Sequence, residues 1–157
     1  MLKGTDEIKD DKITDKGALS GIKVLDLTRY LSGPQTTLFL SALGAEVVKI
    51  DDPNQGDPVR NSPPFFGKDG VSMSKASPLD IGIAYLKRAR SKKSIELDLK
   101  SEEGINTFMR LVEKADVIVE NFRVGVTKRL KIDYEQLKSK NPKIISVSYT
   151  HLTLPTI

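Results

Sequence analysis

The sequence has no cysteine and only one histidine among its 157 residues. Without cysteine there can be no disulfide bond, no thiol nucleophile and no cysteine metal ligand, and one histidine leaves little for a zinc site or a histidine-based triad. We therefore expect no metal site. The histidine, His151, follows Tyr149 and Thr150, and a side chain that titrates near neutral pH invites a catalytic interpretation.

Long apolar runs are also missing. No stretch approaches the roughly 18 apolar residues of a membrane span. The opening "MLKGTDEIKDDKITDKG" mixes charges of both signs and lacks the apolar segment of a secretory signal. With 38% hydrophobic and 29% charged residues, the composition is that of a globular domain. We expect a cytoplasmic protein that does not associate with membranes.

The charge balance is nearly even, with 25 basic and 21 acidic residues and a net charge of +4. Nucleic-acid-binding proteins show a sustained basic face, so no nucleic-acid partner is expected. One run, "LKRARSKKS", is nevertheless locally basic. From its residues alone it is compatible with a solvated loop, a nucleic-acid or nuclear-localisation patch, or a polyphosphate site; its cations are Lys87, Arg88, Arg90, Lys92 and Lys93.

Apolar runs and helical spacing alternate along the first third of the chain. Residues 1–19 carry few apolar side chains and are predicted to form a disordered polar tail. "GIKVLDLT" predicts a strand buried on both faces, "QTTLFLSALG" a helix that ends before Gly44, and "AEVVKID" a second strand. This order is a βαβ unit, in which the two strands are parallel and the connection is right-handed.

The remaining sequence contains a long irregular segment and then returns to alternation. Residues 51–85 hold five of the eight prolines and do not fit one regular element. After them, "KSIELDL", "DVIVENF" and "KIISVS" predict strands, separated by a helix that Ser101 caps and by two shorter helices. Five strands alternating with helices predict an α/β fold with a Rossmann-like, doubly wound and mainly parallel sheet.

Ligands of such sheets bind beyond the carboxyl ends of the strands. The segments "TRYLSGP", "DDPNQGD", "LKS" and "ENFRVG" follow four strands and should therefore converge. The dinucleotide fingerprint and the P-loop are both absent, although a helix N-terminus can still receive a phosphate. Asp26, Asp98 and Asp116 are expected to be hydrogen-bond acceptors at strand ends rather than acids or bases. The residues thus indicate a phosphorylated ligand and no nucleophile.

Five motifs, in order and spacing, resemble the N-terminal segment of the class III CoA-transferases of the formyl-CoA transferase type, a family that includes α-methylacyl-CoA racemases. They span residues 19–146 and read "LSGIKVLDLTRYLSGPQTTLFLSALGAEVVKID", "GDPVR", "KKSIELDLKSEEG", "ADVIVENFRVGVTKRL" and "YEQLKSKNPKII". The resemblance is specific for the family and not for a substrate.

The resemblance implies a large domain that binds coenzyme A, in an interlocked homodimer that acts on acyl-CoA and carboxylic acid substrates. It also favours the phosphate interpretation of the basic run. The positions that match the family's CoA contacts are Leu31, Ser32, Leu97, Asp98, Leu99, Lys100, Asn121, Phe122, Arg123 and Arg129. Arginine and lysine are the side chains that the phosphates of CoA call for.

Two departures from the family pattern matter. Many members carry Arg directly after the acidic residue that ends the second strand, where this sequence has Asp52 after Asp51. The family's catalytic Asp, which attacks the acyl-CoA thioester, lies beyond "KIISVS", and a smaller second domain follows it. The resemblance therefore implies a truncated sheet, no catalytic residue in this chain and no activity of the chain alone. The alternatives are a fragment of a racemase or epimerase, or a complete non-catalytic nucleotide-binding module.

The last residues are unusual for the family. "VSYTHLTLPT" is the translation of a transposon mosaic end joined to a sequencing-library adapter, so residues 147–157 are interpreted as non-native and His151 as unrelated to catalysis. The expected domain organisation is thus a tail over 1–19, the first part of a CoA-binding domain over 20–146, and a spurious C-terminus.

Overall fold

In the computed structural model, which describes residues 17–149, a five-stranded sheet forms the centre of the chain. Its strands lie in the order β6-β2-β1-β7-β8, and every neighbouring pair is parallel. The strands are β1 (Lys23–Asp26), β2 (Glu46–Asp51), β6 (Lys93–Glu96), β7 (Val117–Glu120) and β8 (Ile145–Ser148). The chain steps outward from β1 to β2 and β6, then returns to β7 and β8 on the other side. The predicted doubly wound, parallel fold is confirmed.

Helices cover both faces of this sheet. They are α1 (Ser32–Ala42), α2 (Ile83–Ala89), α3 (Glu102–Val112), α4 (Val126–Arg129) and α5 (Tyr134–Lys140). Phe108 and Val112 of α3, with Leu137 of α5, are buried in the larger apolar cluster on one face. On the other face, Leu40 of α1 packs against the cluster of Val24, Ala45, Val47 and Val119. The successive β1 residues Val24 and Leu25 thus enter opposite clusters, as a strand buried on both faces requires.

The ends of two helices follow their sequence signals. Gly44, which follows the cap residue Leu43 at the end of α1, has a φ of +102°, a left-handed conformation that glycine adopts without a steric penalty. At the start of α3, Ser101 Oγ accepts the Gly104 N–H. Helix α1, however, begins three residues earlier than the predicted Gln35. Its first turn contains Pro34, which is tolerated there because the first N–H groups of a helix have no intrahelical partner.

The segment over residues 51–85 contains a second, smaller sheet that the sequence did not predict. A 3-10 turn (Pro58–Asn61) precedes the antiparallel strands β3 (Phe65–Gly67), β4 (Gly70–Ser72) and β5 (Ile81–Gly82). These strands are two or three residues long, so they give too short a pattern for a periodicity argument.

Residues 1–16 and 150–157, which include His151, lie outside the described residues. Within the described part, the Leu19 N–H donates to Leu43 O at 2.8 Å. Val147 and Ser148 pair with β7, and the Tyr149 hydroxyl lies 2.8 Å from Thr36 Oγ1. The proposed tail and the proposed non-native C-terminus remain predictions.

Candidate functional site at the carboxyl ends of the strands

A cavity of about 280 Å³ lies at the carboxyl ends of β1, β2, β6 and β7. Each of the four segments expected to converge contributes to its lining, which confirms that expectation. The cavity is next to the point where the strand order reverses between β1 and β7, the usual ligand position in open α/β sheets. Its lining residues are Leu27, Arg29, Tyr30, Ile50, Asp51, Asp52, Gln55, Leu97, Leu99, Lys100, Asn121, Phe122, Arg123, Val126, Arg129 and Leu130.

Seven of the ten residues singled out by resemblance line this cavity: Leu97, Leu99, Lys100, Asn121, Phe122, Arg123 and Arg129. Leu31 and Ser32 do not; they are exposed at the start of α1. Asp98 does not line it either. Its Oδ1 accepts the Lys100 N–H at 3.0 Å, and its carbonyl accepts a hydrogen bond from Ser101 Oγ. Asp98 therefore shapes the turn that carries Lys100, in agreement with its expected role as a hydrogen-bond acceptor.

Four cationic side chains and two carboxylates lie in the lining. Arg29 packs over the ring of Phe122, with 6.0 Å from its guanidinium carbon to the ring centroid. Asp52 Oδ2 lies 3.9 Å from both Arg29 Nη2 and Lys100 Nζ. Within residues 17–149, neither Arg123 nor Arg129 has a carboxylate within 4.0 Å. The cavity thus presents cations to an anionic ligand.

The loop after β1 is fixed on two sides. Asn121 accepts the Arg29 N–H at its Oδ1 (2.9 Å) and donates from its Nδ2 to Arg29 O (2.7 Å). On the other side Asp57 Oδ1 accepts the Tyr30 N–H at 3.2 Å. Tyr30 has a φ of +72°, a conformation that costs energy for a residue with a side chain. These contacts hold Arg29 at the cavity wall. Arg29 belongs to the predicted segment "TRYLSGP" but was not singled out within it.

A buried lysine joins the ends of β1 and β2 beneath the cavity. Lys49 Nζ donates to Thr28 O at 2.8 Å and lies 3.3 Å from Asp51 Oδ1 and 3.6 Å from Asp57 Oδ2. Only 2% of its side chain is exposed, so this lysine is structural and the two carboxylates compensate its charge. Alternation alone gave no sign of it, since a lysine inside a strand is expected to face solvent.

The basic run does not form one surface. The side chain of Lys92 is buried, and its Nζ donates to Asp26 Oδ2 (2.9 Å), Thr37 Oγ1 (2.6 Å) and Pro34 O (2.9 Å). Burial lowers the pKa of the Lys92 ammonium, while Asp26 acts in the opposite direction. Lys93 pairs with Glu46 on the surface. No residue of the run lines the cavity at the strand ends, and two of its five cations, Lys92 and Lys93, are paired with carboxylates. The interpretation of the run as a polyphosphate site stays a prediction.

Two kinds of feature are absent from residues 17–149. No helix in this part of the chain is both long and apolar enough to cross a bilayer. The same residues contain no group of three or more His, Asp or Glu side chains placed to hold a metal ion.

Comparisons with known proteins agree with the resemblance. A sequence profile described as CoA-transferase family III matches residues 19–152. A succinyl-CoA:mesaconate CoA-transferase of Haloarcula hispanica is 42% identical over 129 residues, which are 82% of this chain and 31% of that protein. A succinate–glutarate CoA-transferase of Agrobacterium fabrum is 41% identical over 137 residues, 86% of this chain and 32% of that protein.

Solved structures give the same answer. The crystal structure of a CAIB/BAIF family protein from Brucella suis superposes with a TM-score of 0.73 at 36% identity, over 85% of this chain and 33% of that one. The chain therefore spans about a third of the length of the relatives that it matches. Profile, identity and fold together show that the chain belongs to CoA-transferase family III.

Proposed function

We propose that the cavity binds coenzyme A, and that the protein carrying this chain moves CoA from an acyl-CoA donor to a carboxylic acid acceptor. The observation that carries the proposal is the set of four cationic side chains at the carboxyl ends of the strands, in a chain of CoA-transferase family III. CoA carries a diphosphate and a 3′-phosphate, and guanidinium groups bind phosphate oxygens through two parallel hydrogen bonds.

The lining suits the two halves of such a ligand. Arg123 and Arg129, which have no carboxylate partner within residues 17–149, are proposed to contact phosphate oxygens. Leu97, Leu99 and Phe122 form an apolar wall for the base or for the pantetheine arm. At about 280 Å³ the cavity is slightly smaller than most small-molecule sites, so it would hold only part of CoA.

The remaining residues suggested by resemblance receive different roles in this proposal. Leu31 and Ser32 would contact the ligand outside the cavity, because both are exposed at the start of α1. Lys100 would contact phosphate directly, and Asp98 would fix the turn before it. Asn121 would act through the backbone of Arg29, since its amide oxygen and nitrogen are both engaged there.

The chemistry of transfer needs a carboxylate that we place beyond this chain. That carboxylate would attack the thioester carbonyl and form a mixed anhydride while CoA leaves as a thiolate. The thiolate would then attack the enzyme's carbonyl, which releases the donor acid and leaves an enzyme–CoA thioester. The acceptor carboxylate would take the same path in reverse. The part of the site described here would keep CoA bound between these steps, and the 157-residue chain alone would be inactive.

The proposal also covers the oligomeric state and the cellular compartment of the longer protein. We propose that the longer protein is an interlocked homodimer of the cytoplasm. Ile145 and Val147 on the edge strand β8 are 58% and 36% exposed, and exposed apolar side chains on a sheet edge are usually covered by further protein. The isolated chain is accordingly expected to be poorly soluble and a weak CoA binder.

Arg129→Ala tests the CoA site. In the longer protein, this variant should weaken CoA binding about tenfold in calorimetric titration, because a charged hydrogen-bond partner of phosphate is lost. Arg110→Ala is the matched control: it removes an exposed arginine of α3 that does not line the proposed CoA cavity, and it should leave the affinity for CoA unchanged. Equal effects of the two substitutions would contradict the proposal.

A second measurement separates transfer from racemisation. The genomic sequence downstream of Ile145 should encode an Asp beyond β8, on which a CoA thioester can be trapped with acyl-CoA. Exchange of the α-proton of an acyl-CoA with solvent, without acyl transfer, would instead assign the protein to the racemase branch. The same genomic sequence decides whether residues 147–157 are native.

A further inference from the structure

A groove of about 720 Å³ adjoins the proposed CoA cavity. It is lined by residues of the segment 99–106 at the start of α3 and by residues 129–131 at the end of α4, and is called the α3–α4 groove below. Four residues line both the groove and the cavity: Leu99, Lys100, Arg129 and Leu130. Because the cavity, at about 280 Å³, would hold only part of CoA, the groove offers space for the remainder of the ligand.

The groove continues the cationic lining of the cavity. Lys131 adds a third cation to Lys100 and Arg129, and Glu102 is the one carboxylate among the lining residues of the groove. Within residues 17–149, neither Arg129 nor Lys131 has a carboxylate within 4.0 Å. Lys131 is also exposed, so no ion pair has to be broken before its ammonium group meets an anionic ligand.

The backbone at Lys131 has a conformation that usually selects glycine. Lys131 follows Leu130, the cap residue of α4, and has a φ of +56°. Its N–H donates to Lys128 O at 3.0 Å, and the Ile132 N–H donates to Thr127 O at 2.9 Å. These two bonds are those of the Schellman motif, in which the left-handed residue is most often glycine. Ile132 is 2% exposed, so its burial in the core holds the turn in place.

A lysine at such a position costs energy, and strained residues of this kind cluster at functional sites. We infer that Lys131 is a further CoA-binding residue, whose ammonium group contacts a phosphate of CoA where the ligand extends from the cavity into the α3–α4 groove. The inference rests on the proposed function, because it extends the same site. It assigns a role to a cation that does not line the cavity itself.

Lys131→Asn in the longer protein separates binding from stability. Asparagine tolerates the left-handed conformation better than lysine does, while it removes the charge. We expect the denaturant midpoint to stay the same or rise, and CoA to bind about fivefold more weakly in calorimetric titration at low salt. Lys131→Arg keeps the charge and should bind CoA as tightly as the wild type.

Two matched variants control for net charge and for backbone conformation. Lys128→Gln removes an exposed cation of α4 that lines neither the cavity nor the groove. Ser91→Asn changes another left-handed residue, with a φ of +62°, which also lies outside both. Neither substitution should change the affinity for CoA. A loss in Lys128→Gln as large as that in Lys131→Asn would reduce the effect to net charge and would overturn the inference.

A parallel titration with dephospho-CoA identifies the phosphate that Lys131 contacts. Weaker binding of CoA alone assigns Lys131 to the 3′-phosphate, and weaker binding of both ligands assigns it to the diphosphate. If Lys131→Asn binds CoA as the wild type does while Arg129→Ala binds it more weakly, the role of Lys131 is wrong and the CoA site stands. An equal loss in Lys131→Arg would also overturn the inference, because the charge would then not be what matters. If the folded wild type does not bind CoA, the proposed function fails and the inference fails with it.

Discussion

Asn121 and Arg29 exchange two hydrogen bonds across the gap between β7 and β1. The Arg29 N–H donates to Asn121 Oδ1 at 2.9 Å, and Asn121 Nδ2 donates to Arg29 O at 2.7 Å. This pair joins the two strands at which the sheet order reverses, and it determines where the Arg29 side chain enters the cavity. The Asn121 side-chain amide thus bonds both backbone groups of Arg29, which lies beyond the last paired residues of β1 and β7.

Asn121→Ala should therefore reduce both stability and ligand affinity. Two backbone groups of Arg29 lose their partners, at a cost of about 1–3 kcal/mol in the free energy of unfolding. Displacement of Arg29 should also weaken CoA binding several-fold. Asn141→Ala is a matched control, because Asn141 Nδ2 likewise donates to two carbonyls, those of Val112 and Ala115, away from the cavity. It should cost similar stability and leave CoA affinity intact; a loss of affinity in both variants would contradict the positioning role.

Adjacent lysines offer a comparison of buried and exposed ion pairs. Lys92→Met should destabilise the fold by about 3 kcal/mol, because it leaves the fully buried Asp26 carboxylate without its cation. Lys93→Met removes a surface pair with Glu46 and should cost less than about 1 kcal/mol. Denaturant unfolding at neutral pH measures both free energies. Similar losses for the two variants would show that the Asp26 site is accessible to water.

Truncation of one buried phenylalanine of α3 should destabilise the fold strongly. Phe108 is 0% exposed, so Phe108→Ala should lower the free energy of unfolding by about 3–5 kcal/mol through lost burial and a residual cavity. Phe39 on α1 is 60% exposed, and Phe39→Ala should change stability by less than about 0.5 kcal/mol. Denaturant midpoints check the pair, and a comparable loss at Phe39 would mean that its exposed face is covered in solution.

Tyr85 gives the chain a pH-dependent contribution to stability. Burial, and secondly the Asp51 carboxylate, raise the pKa of the Tyr85 hydroxyl above its usual 10.0. Since the folded pKa is raised, this contribution is fully present below pH 10 and is lost as the pH rises through the folded pKa. The difference in phenolate absorbance between wild type and Tyr85→Phe should titrate with a midpoint above 10. A midpoint at or below 10 would place the hydroxyl in solvent.

The order of the five parallel strands and of α1, α3, α4 and α5 could be predicted from the sequence because each of them carries a local signal, whereas α2 was not predicted. Alternating apolar runs marked the five parallel strands, Gly44 marked the end of α1, and Ser101 marked the start of α3. The convergence of four loops followed from a general property of parallel sheets. The small sheet of β3, β4 and β5 could not be predicted in this way, since its strands pair over only two or three residues.

Only the tertiary structure determines which charged side chains face the cavity. Lys49, Lys92 and Lys100 are the same residue type, yet the first two are buried among carboxylates and carbonyls while the third lies at the cavity. Likewise Asp26 is fully buried, where it pairs with Lys92, whereas Asp52 lies beside Arg29 and Lys100 at the cavity. Local sequence determines periodicity and caps, and with them the fold and its family. Charge pairing depends on residues up to 66 positions apart, as between Asp26 and Lys92, so only the assembled sheet determines which lysines and carboxylates are left to meet a ligand.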